Sequence, residues 1–218
     1  MNKSMTWDSI SIGQFADIVK VSKSKDSDLE KAIRYYCIIH NISYDECTNM
    51  PIDKMTIKLK TLSFAAVEPK ARFDGLKIDI NGNRYNITPS AAQMTAGQFI
   101  DYQNTINSNN RDDLSLLCAL FIIPEGKKYG DGYDVLELRD ELNDHMCIRD
   151  ALGISFFLQK SFTVLSTTIL RSLVRKMKRA AKREKNPKAK MVILASIKET
   201  ELAISTSESL SKSYNILT

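Results

Sequence analysis

The stretch Asp150–Lys185, DALGISFFLQKSFTVLSTTILRSLVRKMKRAAKREK, decides how the rest of the chain is read. It contains no proline, and Leu158, Phe162, Leu165, Ile169, Leu173 and Met177 recur at steps of three and four residues, the spacing of one helix face. At about 1.5 Å per residue this predicts a helix on the order of 50 Å long. That exceeds what a chain of 218 residues needs for its own core. A long helix with a narrow apolar seam is therefore expected to pack on another subunit.

The second half of the same stretch is cationic. Arg171 to Lys190 holds ten Lys/Arg and one acid, Glu184, for a net +9. The whole chain is only +5, so everything outside this segment sums to −4. Arg171, Arg175, Lys176, Lys178, Arg179, Lys182, Arg183 and Lys185 are the candidate binding residues. Their partner is either nucleic-acid phosphate or an acidic protein surface. A charge run can also be no more than a solvated face. Without interleaved aromatic residues, nucleic-acid binding here would be blind to sequence.

Beyond Pro187 the apolar run Met191-Val192-Ile193-Leu194 is followed by a Ser/Thr-rich tail. It reads as an extended C-terminal arm that reaches a partner. The expected subunit interface combines Leu158, Phe162, Leu165, Ile169 and Leu173 with Met191, Val192, Ile193 and Leu194.

Upstream, Ser11-Ile12-Gly13-Gln14-Phe15-Ala16-Asp17 and Thr95-Ala96-Gly97-Gln98-Phe99-Ile100-Asp101 share one pattern. Each is a capping box, in which a hydroxyl residue and a Gln three positions later satisfy each other's backbone amides. Ile10 with Phe15, and Met94 with Phe99, supply the matching hydrophobic staples. The starts lie 84 residues apart, and further helix starts at Asp28 and Asp113 lie 85 apart. Two related helical units are one reading, and chance recurrence of a common cap is the other. Between them, Leu76–Ile80 and Arg84–Thr88 alternate around Asn81-Gly82-Asn83, which predicts one β-hairpin.

The fold class is thus mainly α with one small β-hairpin. The expected divisions are an N-terminal helical unit (1–69), the hairpin (70–90), a second helical unit (91–149), the long basic helix (150–186) and the arm (187–218).

The composition, 43% hydrophobic and 26% charged, is that of a globular protein. Residues 1–8 lack a signal-peptide pattern and no stretch spans a membrane, so an intracellular chain with reduced thiols is expected. Cys37-x2-His40 with Cys47, and His145-x-Cys147, are the only arrangement of soft metal ligands. The helical stripe that includes Cys37 and His40 explains them better as core. Gly126–Gly132 lacks phosphate-loop spacing. Arg72-Phe73-Asp74-Gly75 puts a guanidinium where a nucleophilic lysine amine would be required. No catalytic residues, cofactor, metal or small-molecule substrate are expected.

The two G-Q-F-x-D starts, the hairpin between them, the Tyr129-Gly130-Asp131 loop and the long basic helix together resemble small virion and tail-assembly proteins of tailed bacteriophages, crAss-like phages in particular. The resemblance covers about the first 160 residues, and the segment after Pro187 departs from it. It implies a non-enzymatic subunit of the virion, assembled in the host cytoplasm. Such a subunit would form a homo-oligomeric ring in the head–tail connector or tail, touching other virion proteins and, without sequence preference, DNA. Two alternatives accompany it: a tail-assembly chaperone, and a nucleic-acid-binding protein that uses residues 171–190.

Overall fold

The computed structural model describes residues 5–110 and 113–214, with side chains to residue 206. The described residues form nine α-helices and one three-stranded antiparallel sheet, with 67% helix. They fall into two compact units. Of the described residues, unit 1 comprises 5–88, 95–110 and 113–155, and unit 2 comprises 89–94 and 156–214. This grouping cuts across the linear divisions read from the sequence.

In unit 1, α1 (Ile12–Ser22), α2 (Asp28–His40), α3 (Tyr44–Thr48) and α4 (Ile52–Leu59) enclose a core of Ile10, Ile18, Ile33, Tyr36, Cys37, Ile39, Cys47, Met55 and Leu62. Ile148, at the start of α8 (Ile148–Arg183), completes it. Trp7 sits edge-on to Phe15 and Phe64 and donates to the Val67 carbonyl at 2.7 Å, fixing the N-terminal segment.

The β-hairpin forms as expected. Strands β1 (Lys77–Ile80) and β2 (Asn83–Ile87) pair with Ile80 opposite Asn83. The turn has two residues rather than three: Asn81 and Gly82 both take positive φ, 50° and 80°, as a type I′ turn requires. A third strand not expected from the sequence, β3 (Ile122–Pro124), pairs with β2.

Both capping boxes exist, and both glutamines do a second job. The Gln14 amide donates to the carbonyls of Ile38 and Ile39, 3.1 and 3.2 Å away, in the last turn of α2. The Gln98 amide donates to the Leu120 carbonyl at 3.0 Å, at the C-cap of α6 (Leu114–Ala119), and to Thr88 Oγ1 at 3.1 Å. In each case one side chain satisfies the start of a helix and the carbonyls that end the next. Helices α1 and α5 (Ala96–Ile106) are also equally long, at 11 residues. The correspondence fails afterwards: α2 has 13 residues, whereas α6 has six before the chain turns into β3.

Burial separates the two glutamines. Gln98 is 2% exposed, whereas Gln14 is half-buried. We expect Gln98→Ala to cost about 2–4 kcal/mol, because it strands the buried Leu120 carbonyl and the Thr95 amide, and Gln14→Ala about half as much. Urea titration of both variants checks this. Equal losses would contradict the assigned role of burial.

The segment before β1 is clasped to the start of α8. Arg72 makes a two-pronged bond to Asp150, at 2.6 and 2.8 Å, and reaches Asp8 at 2.8 Å. Arg149 bonds Asp8 and the Lys70 carbonyl, and the Arg72 amide donates to the Arg149 carbonyl. Gly153 lets this happen, since a Cβ there would overlap the Arg72 carbonyl.

The segment after Pro187 is corrected from an extended arm to α9 (Pro187–Tyr214), a 28-residue helix. The local reason is a helix start. Asn186 Oδ1 accepts from the amides of Lys188 and Ala189, and Pro187 occupies the first helical position, where its missing N–H costs nothing.

Candidate interaction surface on the C-terminal helical hairpin

In unit 2, α8 and α9 are joined by only Glu184-Lys185-Asn186 and run back alongside each other. Lys178 on α8 meets Glu201 on α9 at 2.7 Å, and Val174 with Ile204 lines the groove between them. The face of α8 turned inward carries Thr167, Val174 and Ala181, buried and seven residues apart, with half-buried Leu170 and Met177 between them. On α9, Ile197 is buried, with half-buried Ile193, Thr200 and Ile204 on the same face. The hairpin also receives residues 89–94, where the Ala91 amide donates to Ser161 Oγ at 2.6 Å.

This arrangement reassigns the apolar positions read from the sequence. Leu158 is buried, and Phe162 and Leu165 are half-buried. Ile169 and Leu173, expected in the same seam, are 58% and 45% exposed. They lie outside the stripe that meets α9. On α9, Met191, Val192 and Leu194 are exposed at 69, 67 and 49%, while Ile193 turns inward. Val164 and Leu202 are exposed as well. Two helices packed on each other bury one face apiece, so a second set of apolar side chains on each is left uncovered.

The basic positions form one continuous surface. All eight candidates, Arg171, Arg175, Lys176, Lys178, Arg179, Lys182, Arg183 and Lys185, are exposed, as are Lys188 and Lys190 at the start of α9. Arg171, Arg175, Lys178, Lys182 and Lys185 follow steps of four and three and make a row beside the inner seam. Lys176, Arg179 and Arg183 make a second row next to the first. Unit 2 as a whole carries thirteen Lys/Arg and four acids, so it is +9 and leaves unit 1 at −4 of the total +5.

In unit 1, the soft ligands and the glycine-rich turn noted in the sequence have the following surroundings. Among the described residues no group of three His, Cys, Asp or Glu is placed to hold a metal ion. Cys37 and Cys47 are buried with their sulfurs 2.9 Å apart. Burial and the hydrogen bond with Cys47 push the Cys37 thiol up to about 12, far from a reactive thiolate. His40 stacks on Tyr36, and burial, aided by Lys58, lowers its pKa. The Gly126–Gly132 turn closes on itself, since Lys127 Nζ bonds the Gly132 carbonyl at 2.8 Å. Tyr129 donates to Asp101, the acid of the second G-Q-F-x-D start, at 2.6 Å. That bond ties the Tyr129-Gly130-Asp131 loop to α5. Among the described residues no helix is long and apolar enough to cross a membrane.

No family model matches the sequence, and no curated protein or solved structure is significantly similar to it.

Proposed function

We propose that this chain is a non-enzymatic structural subunit that self-associates through its C-terminal helical hairpin. One observation carries the reading: the large apolar side chains left uncovered on both helices. Ile169 and Leu173 on α8, and Met191, Val192, Leu194 and Leu202 on α9, are each at least 45% exposed. Scattered apolar residues are ordinary on a surface, but a concentration on a two-helix element marks a surface that is covered in use.

Charge favours one geometry over another. An isologous dimer through the hairpins would bring two +9 surfaces together. A head-to-tail contact avoids that repulsion by setting the apolar faces of one copy against the −4 unit of the next, and repeated contacts of that kind close into a ring where the rotation between copies allows it. Combined with the resemblance to tailed-phage proteins, this supports a ring-forming neck or tail subunit of a virion.

A tail-assembly chaperone would also present uncovered apolar helix faces, but would leave once its client is built. Mass spectrometry of purified particles from the encoding phage separates the two. The subunit reading expects the chain in the particles, in fixed ratio to the other neck and tail proteins. Its presence in infected cells but absence from particles would overturn that reading in favour of the chaperone.

A further inference from the structure

We propose that the turn end of the α8–α9 hairpin is a sequence-blind binding surface for the phosphate backbone of duplex DNA. This goes beyond the self-association reading and uses different residues: the two cationic rows, not the uncovered apolar faces.

The first row, from Arg171 to Lys185, spans 14 residues of unbroken α8 and its end, roughly 21 Å. It presents five cations at nearly constant spacing, and Lys176, Arg179 and Arg183 widen it sideways. Lys188 and Lys190 continue the charge across the turn into α9. A linear array of this kind matches a linear array of phosphates, where each neutralised phosphate releases condensed counterions. An acidic protein surface is a poorer match. The cores of protein interfaces are depleted in charge and in lysine, whereas six of these ten cations are lysines. From Thr163 to Ser213 the sequence contains no Phe, Tyr or Trp, so there is no platform on which unpaired bases could stack. The surface therefore suits the outside of a duplex, contacted through charge alone. Lys178 has an acid nearby, Glu201, and would be shared or released on binding.

The test is fluorescence anisotropy of the full chain with two labelled 30-base-pair duplexes of unrelated sequence, across a salt series. Neutralising about five phosphates gives a slope of log K against log salt of about −4.5. The two duplexes are expected to bind within twofold of each other. The variant Arg175→Gln, Lys178→Gln, Arg179→Gln, Lys182→Gln should weaken binding by about 100-fold at low salt and flatten the slope by three to four units. Glutamine is a good helix former at these exposed positions, and circular dichroism with solution mass confirms the fold and assembly. The charge-preserving variant Arg175→Lys, Lys178→Arg, Arg179→Lys, Lys182→Arg should retain binding. Unchanged affinity in the glutamine variant would overturn the proposal. So would salt-independent binding, or capture of poly-glutamate with no binding of DNA. Lost DNA binding at unchanged mass supports the DNA surface independently of self-association. Lost assembly with retained DNA binding in an apolar-face variant indicts only the interface.

Discussion

Replacing Gly153 by alanine should lower the melting temperature of unit 1 by roughly 6–12 °C, a loss of about 3 kcal/mol at about 2–4 °C per kcal/mol. Alanine ordinarily stabilises a helix by about 1 kcal/mol relative to glycine. Here the added methyl would overlap the Arg72 carbonyl and approach the Phe73 amide at 3.1 Å. Backbone cannot swing aside as a long side chain can. The segment must move off α8 and pull Arg72 from Asp150, a bond that holds the guanidinium firmly charged. Overpacking of a close contact costs about 1–3 kcal/mol, and more when backbone is displaced. Gly97→Ala supplies the contrast, because the nearest atoms to its Cβ would be 3.8 and 4.0 Å away. That substitution should be neutral or slightly stabilising. Scanning calorimetry of both variants checks the pair. A Gly153→Ala protein as stable as the native chain would refute the close approach of α8 to Arg72.

The second large effect concerns assembly. On the proposed self-association, Ile169→Lys with Leu194→Lys should leave a monomer, with helicity unchanged. Both positions are about half exposed or more, at 58% and 49%, and neither belongs to the inner seam of Thr167, Val174, Ala181 and Ile197. Lysine on an uncovered face costs the isolated subunit little, whereas at a packed subunit contact it buries an unpaired charge. Substitution within the inner seam is the control. Val174→Lys should unfold the hairpin itself and lower helicity, because that residue is 7% exposed. Sedimentation velocity and circular dichroism distinguish the two outcomes. Retained assembly in the double variant would mean these faces are not the interface.

The sequence made much of the fold legible because its strongest signals are local. A capping box needs only residues i to i+3, and Ser11/Gln14 and Thr95/Gln98 both form one. The Asn81-Gly82 turn likewise announces itself. What stayed hidden depends on partners distant in sequence. Strand β3 is three residues long, and its apolar character also fits the end of a helix; only pairing with β2 makes it a strand. The inner seam of α8 was obscured because Thr167 and Ala181 carry little hydrophobic signal. The stronger leucine and isoleucine stripe through Ile169 and Leu173 runs along a neighbouring face. Helix α9 is hidden in the sequence for a related reason. Its hydroxyl residues suggest a loose tail, yet Thr200 and Thr206 bond the carbonyls of Ser196 and Leu202 within the helix, consuming their own polarity. The Asn186-Pro187 pair is itself a local start signal, because asparagine caps a helix and proline suits its first position.

The candidate surface was legible in part. Counting charges located the cationic segment, and every one of its eight named positions is exposed. Composition could not separate the apolar residues into a seam that meets α9 and faces that remain uncovered. That distinction needs the hairpin: of the nine positions expected at the interface, Ile169, Leu173, Met191, Val192 and Leu194 are exposed, whereas Leu158, Phe162, Leu165 and Ile193 are buried or half-buried.

The most direct test of self-association is the solution mass of the purified, nuclease-treated chain by light scattering, at low and high salt. A discrete oligomer of high order that holds its mass as salt rises is expected, because apolar contact outlasts charge steering. A monomer of 24.6 kDa at every salt and protein concentration would contradict it.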